Sequence, residues 1–208
     1  MRDDDVHRSH VPLPSENGRV IETRAIMETR MHLDPVVLPD AKPAYEWVRG
    51  RALQKMSPSR SHAIMQRVFL ELLHTWADRR GWVGSEWRFI ISPPGEMPRS
   101  LVPDVAYIAA EKLAPLSAAE REYPPVAPDI VVEILSPGDQ PADVAHKRDV
   151  YLSAGVRLVL IVDPLKRTLI AASSDDVTSA DGAAIVEPAQ AHGLTINLGA
   201  VFAQLDQP

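Results

Sequence analysis

A chain of 208 residues, 45% apolar and 24% charged, is long enough for one sizeable core and has the composition of an ordinary globular domain. Its formal net charge of −6 argues against a surface built to grip polyanions non-specifically, although a local basic cleft remains compatible with it. With no cysteine, a disulfide framework and a thiolate zinc site are excluded, and a reducing cytoplasm is the expected location.

The opening "MRDDDVHRSHVPLPSENG" has no apolar centre, so a signal peptide is not expected. No apolar run approaches the roughly 18 residues of a membrane span, and no membrane partner is expected. Residues 1–39 are polar and punctuated by proline; they predict an extension outside the core, with a short exposed helix over 22–31. His7 and His10 have the H-x-x-H spacing of a helical metal pair, but in a polar tail solvated histidines are the simpler reading.

A single domain is expected over 40–208. "YEWVRGRALQKM" predicts a hairpin turning at Arg49-Gly50. In "SPSRSHAIMQRVFLELLHTWADRRG", Met65, Phe69, Leu72, Leu73 and Trp76 recur at helical spacing, with Gly81 closing the helix. "WVGSEWRFIIS" and "LVPDVAYIAA" read as strands around a loop, and "EKLAPLSAAEREYPPVAP" as a polar, Pro-rich connection. A strand over "APDIVVEILSPGD" follows, then a helix over 141–153 ending before Gly155. "RLVLIVD" and "RTLIAAS" form a strand pair around Pro164. Short strands near 184–187 and 194–198 and a helical turn from Val201 to Leu205 complete the chain. The alternation predicts an α/β (α+β) domain around one central mixed sheet.

Glu133 interrupts the apolar strand Ile130 to Leu135, and a carboxylate is rarely enclosed unless something pairs with it. Side chains alternate faces along a strand, so Asp129, Val131, Glu133 and Leu135 share one face and Ile130, Val132 and Ile134 the other. Asp104 opens a second apolar run, directly after a proline. On the following helix Val144, Lys147 and Tyr151 share one stripe, which directs Lys147 towards Glu133. Two readings fit: a chemical site, or a structural Lys147–Glu133 ion pair with Asp104 capping a turn. Asp129, just after Pro128, reads as a turn residue.

The segments "YEWVRGRALQKMSPS", "VPDVAYI", "PDIVVEILSPGD" and "KRDVYLSAGVRLVLIVDP" resemble, in this order, the Uma-two family of putative restriction endonucleases, within the PD-(D/E)XK nuclease superfamily. The resemblance covers about residues 43–205 and implies a restriction-endonuclease-like core with an N-terminal hairpin. Asp104 matches the acidic residue of the PD element and Glu133 the later one. The superfamily's lysine two positions after that glutamate is absent, since Leu135 stands there; Lys147 matches its relocated position on the next helix.

The implied activity is Mg²⁺-dependent hydrolysis of phosphodiester bonds in DNA, with Mn²⁺ as an alternative ion. Asp104, Glu133 and the Ile134 carbonyl would hold the metal, and Lys147 would orient or activate the attacking water. Two accessory residues have competing readings. His62 faces inward at the start of the first long helix, as a core histidine or a site residue. Glu46 begins the hairpin, with a salt bridge to Arg49 or Arg51 as the simpler reading. Arg49, Arg51, Lys55, Arg60 and Arg67 form either a phosphate-contacting rim or a solvated surface. A catalytically inactive nuclease-fold module that binds protein or nucleic acid is the alternative function. The superfamily also implies two-fold pairing, and the apolar late strands suggest a patch for a homodimer partner.

Overall fold

The computed structural model describes residue 38 and residues 41–207. His7, His10 and the helix expected over 22–31 lie outside the described residues, as does nearly all of the expected extension over 1–39. In chain order the elements are β1 (Tyr45–Val48), β2 (Arg51–Gln54), α1 (Arg60–Ala77), β3 (Gly81–Ser85), β4 (Phe89–Ile91), β5 (Arg99–Leu101), β6 (Val105–Ala109), α2 (Ala110–Leu113), α3 (Ala118–Glu122), β7 (Ile130–Ile134), α4 (Pro141–Ser153), β8 (Leu158–Asp163), β9 (Thr168–Ala172), β10 (Val177–Asp181), β11 (Ile185–Val186), β12 (Ile196–Asn197) and α5 (Leu198–Ala203).

The hairpin turns at Arg49 and Gly50, both with positive φ (49° and 75°), as a two-residue turn of the primed type requires. Helix α1 starts at Ser59, whose hydroxyl accepts from the His62 N–H, and stops at Asp78 in the left-handed region. Gly81 therefore does not close the helix. A Cβ there would stand 2.2 Å from the Ile108 carbonyl oxygen, so glycine is required by the close approach of β3 to β6.

Each of the two long strands expected before residue 110 breaks in two. Glu86, at φ 52°, turns the chain between β3 and β4, while Pro103 separates β5 from β6. β3 and β6 join the main sheet, and β4 and β5 pair with each other. The Pro-rich connection carries the short helices α2 and α3, the latter begun by a capping box between Ser117 and Glu120. Strand β10 was not anticipated, because its polar, exposed residues carry no core-facing alternation.

The main sheet has the order β10-β9-β8-β7-β6-β3. β7 and β8 are parallel, connected through α4, and every other neighbouring pair is antiparallel. Helices α1 and α5 cover one face through Met65, Phe69, Leu73 and Phe202. The other face carries α4 and the two small hairpins, through Val150, Tyr151, Phe89, Ile91 and Val48. Both faces of β8 are thus occupied, and Leu158 to Val162 are buried within the chain itself. Of the late strands expected to leave an apolar patch, β8 is buried in the chain's own core, whereas Thr168, Ile170 and Ala171 of β9 are half-buried. Among the described residues, no helix is long and apolar enough to cross a membrane.

Candidate active site

The site begins with strand register. Val105 on β6 faces Val132 on antiparallel β7; continued one residue past the end of β6, this register sets Asp104 beside Glu133. Directly opposed residues on antiparallel strands present their side chains to the same face. That face is the one α4 covers, because Val131 and Ala106 pack there with Val150 and Tyr151.

Helix α4 brings Lys147 and Tyr151 onto Glu133. Lys147 Nζ lies 2.7 Å from one Glu133 oxygen, and the Tyr151 hydroxyl donates to the other at 2.8 Å. The Val144–Lys147–Tyr151 stripe faces the sheet, with Tyr151 completely buried. Lys147 also donates to Glu46 at 2.8 Å, and the second Glu46 oxygen accepts the Val102 N–H at 2.7 Å. Glu46 therefore does not pair with Arg49 or Arg51. Those arginines reach Asp143 on α4 instead, at 3.4 and 2.5 Å, and dock the hairpin onto the helix.

Asp104 is 2% exposed. One of its oxygens accepts the Ile134 N–H at 2.6 Å and lies 3.3 Å from His62 Nε2; the other accepts from Lys55 Nζ at 2.6 Å. His62 thus belongs to the site, although it sits on α1, and its buried Nδ1 has no hydrogen-bond partner among the described residues. Glu46, Lys55, His62, Asp104, Glu133 and Lys147 line one cleft of about 260 Å³.

Three carboxylates of this cleft, Glu46, Asp104 and Glu133, bond to its two lysines, Lys55 and Lys147, and the crowding shows in proton affinities. Burial pushes Glu133 up to about 7; Lys147 opposes this, but the neighbouring Glu46 and Asp104 charges reinforce it. Asp104 goes the other way. Burial again favours its neutral form, yet the His62 hydrogen bond and the Lys55 charge outweigh it and hold Asp104 well below the usual carboxylate range. For both lysines burial disfavours charge, but the surrounding carboxylates prevail and keep them protonated beyond the ordinary lysine range.

Both readings of the basic cluster stand: the side chains of Arg49, Arg51 and Arg67 are 53%, 55% and 51% exposed, and each has an acidic partner. Arg49 and Arg51 are committed to Asp143, Arg60 to the Leu205 and Gln207 carbonyls, and Arg67 to Glu71. Lys55 differs from them, with only 13% of its side chain exposed. Asp129 lies at the opposite end of β7, where it accepts the Ala109 N–H and pairs with Lys112 and Arg157. The sequence signal for Tyr151 was its place on the Lys147 stripe. The partnerships of Lys55 with Asp104 and of Glu46 with Lys147 span 49 and 101 residues, with no local periodicity to announce them.

The architecture is a mixed sheet flanked by helices, with Asp104, Glu133 and the helix-borne Lys147 lining one cleft. The model of the Uma2 family, described as "Putative restriction endonuclease", matches residues 34–199, and the chain belongs to this family. Among solved structures, a putative nuclease of DUF820 from Anabaena variabilis is similar in fold, with a TM-score of 0.71. It is 24% identical, and the alignment covers 81% of this chain and 94% of that one. No curated protein matches this chain.

Proposed function

We propose that this protein is a Mg²⁺-dependent endonuclease that hydrolyses phosphodiester bonds in DNA. The observation that carries this reading is the opposition of Asp104 and Glu133 on one sheet face, with Lys147 bridging Glu133 and Glu46. Among the described residues no group of three or more histidines or carboxylates forms a protein-only metal cage. Magnesium does not need one, since it typically takes one or two carboxylates and completes its shell with water and phosphate. The excess of carboxylates over lysines in the cleft fits a hard cation, with Mn²⁺ as a substitute.

Asp104 and Glu133 would hold the ion, with the Ile134 carbonyl as a third ligand. When bound, the cation neutralises phosphate charge and acidifies a water molecule. The Ile134 N–H and His62 fix the Asp104 carboxylate, and the Tyr151 hydroxyl fixes that of Glu133. Lys147 has three N–H donors and two are engaged by Glu46 and Glu133, which leaves one for the attacking water or a phosphate oxygen. Its contacts suit an orienting donor better than a base.

One observation favours the alternative of an idle nucleic-acid- or protein-binding module: both candidate ligands already have an ammonium within 2.7 Å. A divalent-metal titration with plasmid and single-stranded DNA separates the two. Cleavage that rises with Mg²⁺ or Mn²⁺ and stops with chelator is expected. Intact DNA at every metal concentration, with binding retained, would establish the idle module.

Cutting both strands of a duplex takes two sites, and the described residues supply one. A homodimer burying at least about 1,000 Å² is therefore expected. Light scattering at micromolar concentration checks it: a monomeric mass retained with metal and DNA would restrict the enzyme to nicking single strands.

A further inference from the structure

Lys55 follows β2 directly and lines the cleft together with Lys147. Its three N–H donors have three acceptors: Asp104 at 2.6 Å, the Val102 carbonyl at 2.9 Å and Glu86 at 3.1 Å. Asp104 in turn has one oxygen occupied by the Ile134 N–H and His62, which leaves the Lys55-bound oxygen as its outlet for a cation. A magnesium ion about 2.1 Å from that oxygen would stand within about 5 Å of the Lys55 ammonium, because both share one ligand atom. The two positive charges therefore compete for the same carboxylate.

The two lysines are not equivalent in this competition. Lys147 lies between two carboxylates, so it keeps the buried Glu46 when Glu133 turns to another cation. The second carboxylate of Lys55 is Glu86, 47% exposed and held by Gln66 in the wall of the adjoining groove. Lys55 is also shared between the 260 Å³ cleft and an adjoining groove of about 880 Å³, whose walls include Met56, Trp87, Arg88 and Tyr123. An ammonium moved off Asp104 towards Glu86 stays at this junction of cleft and groove.

We infer that Lys55 is a built-in counter-ion for Asp104 that a divalent cation displaces, and that the displaced ammonium then contacts the phosphate backbone of the substrate. This rests on the proposed metal site at Asp104 and Glu133. Calorimetric titration of Mn²⁺ alone, without DNA, into wild type and Lys55→Met tests the first part. The variant is expected to bind the ion about tenfold more tightly or better, since it removes one positive charge beside the ligand. Equal or weaker binding overturns the inference and leaves the metal site standing; no binding by either protein removes both. Should Lys55→Met fail to fold, reductive methylation of wild type, read by mass spectrometry, decides. Mg²⁺ should raise labelling at Lys55 several-fold and leave Lys147 protected, and unchanged labelling at Lys55 overturns displacement. For the second part, DNA binding in Ca²⁺ should weaken in Lys55→Met, with the slope of log K against log salt reduced by about one. An unchanged slope overturns the phosphate contact.

Discussion

Replacing Glu133 by glutamine is expected to reduce metal-dependent cleavage by roughly a thousandfold, the rate equivalent of the several kcal/mol a positioned cation supplies. The metal-free protein should meanwhile be as stable as wild type or more so. Glutamine keeps the shape, and its carbonyl and amide can meet Lys147 and Tyr151. It also removes one of the three carboxylates, Glu46, Asp104 and Glu133, that bond to the two lysines of the cleft. The pH dependence has a definite sign. Because burial raises the folded-state value to about 7 from an ordinary 4.5, the folded protein holds this proton more tightly than the unfolded chain. The contribution is present in full below about 4.5 and is lost as pH rises to about 7. Metal-free wild type should therefore lose melting temperature across that window relative to Glu133→Gln, as scanning calorimetry would record. A variant markedly less stable than wild type at pH 8 would instead identify Glu133 as half of a structural ion pair.

Lys147→Met should have the second-largest effect, on both stability and cleavage. It strands Glu46 and Glu133 in a cleft where their side chains are 4% and 12% exposed. Breaking a buried pair by removing one partner typically costs about 3–5 kcal/mol. Chemical denaturation should show a loss of this size, and the double variant Glu46→Gln/Lys147→Met should recover part of it by neutralising one stranded carboxylate. Cleavage should stay low in both, because neither retains the donor for the attacking water. Full recovery of cleavage in the double variant would show that Lys147 serves only to hold the hairpin to α4.

The helix from 141 to 153, the turn at Arg49-Gly50, the strand around Glu133 and the late strand pair were legible because each is set by local periodicity or by turn chemistry. Periodicity also aimed Lys147 at the sheet. The breaks at Glu86 and Pro103 were not legible, since the apolar runs continue across them and only the partner strand shows which half joins which sheet. The same limit applied to Gly81, whose role depends on the Ile108 carbonyl opposite it.

By itself, the sequence determined that Glu133 needed compensation, and a helical stripe supplied Lys147 as one partner. Only the tertiary structure decided the rest. Antiparallel register between β6 and β7 brought Asp104 opposite Glu133. Docking of the N-terminal hairpin then delivered Glu46 and Lys55 from outside the sheet. Charge complementarity acts through space over a few ångströms, whereas sequence patterns report only which face of its own element a side chain occupies. Partners on different elements therefore become apparent only when those elements pack.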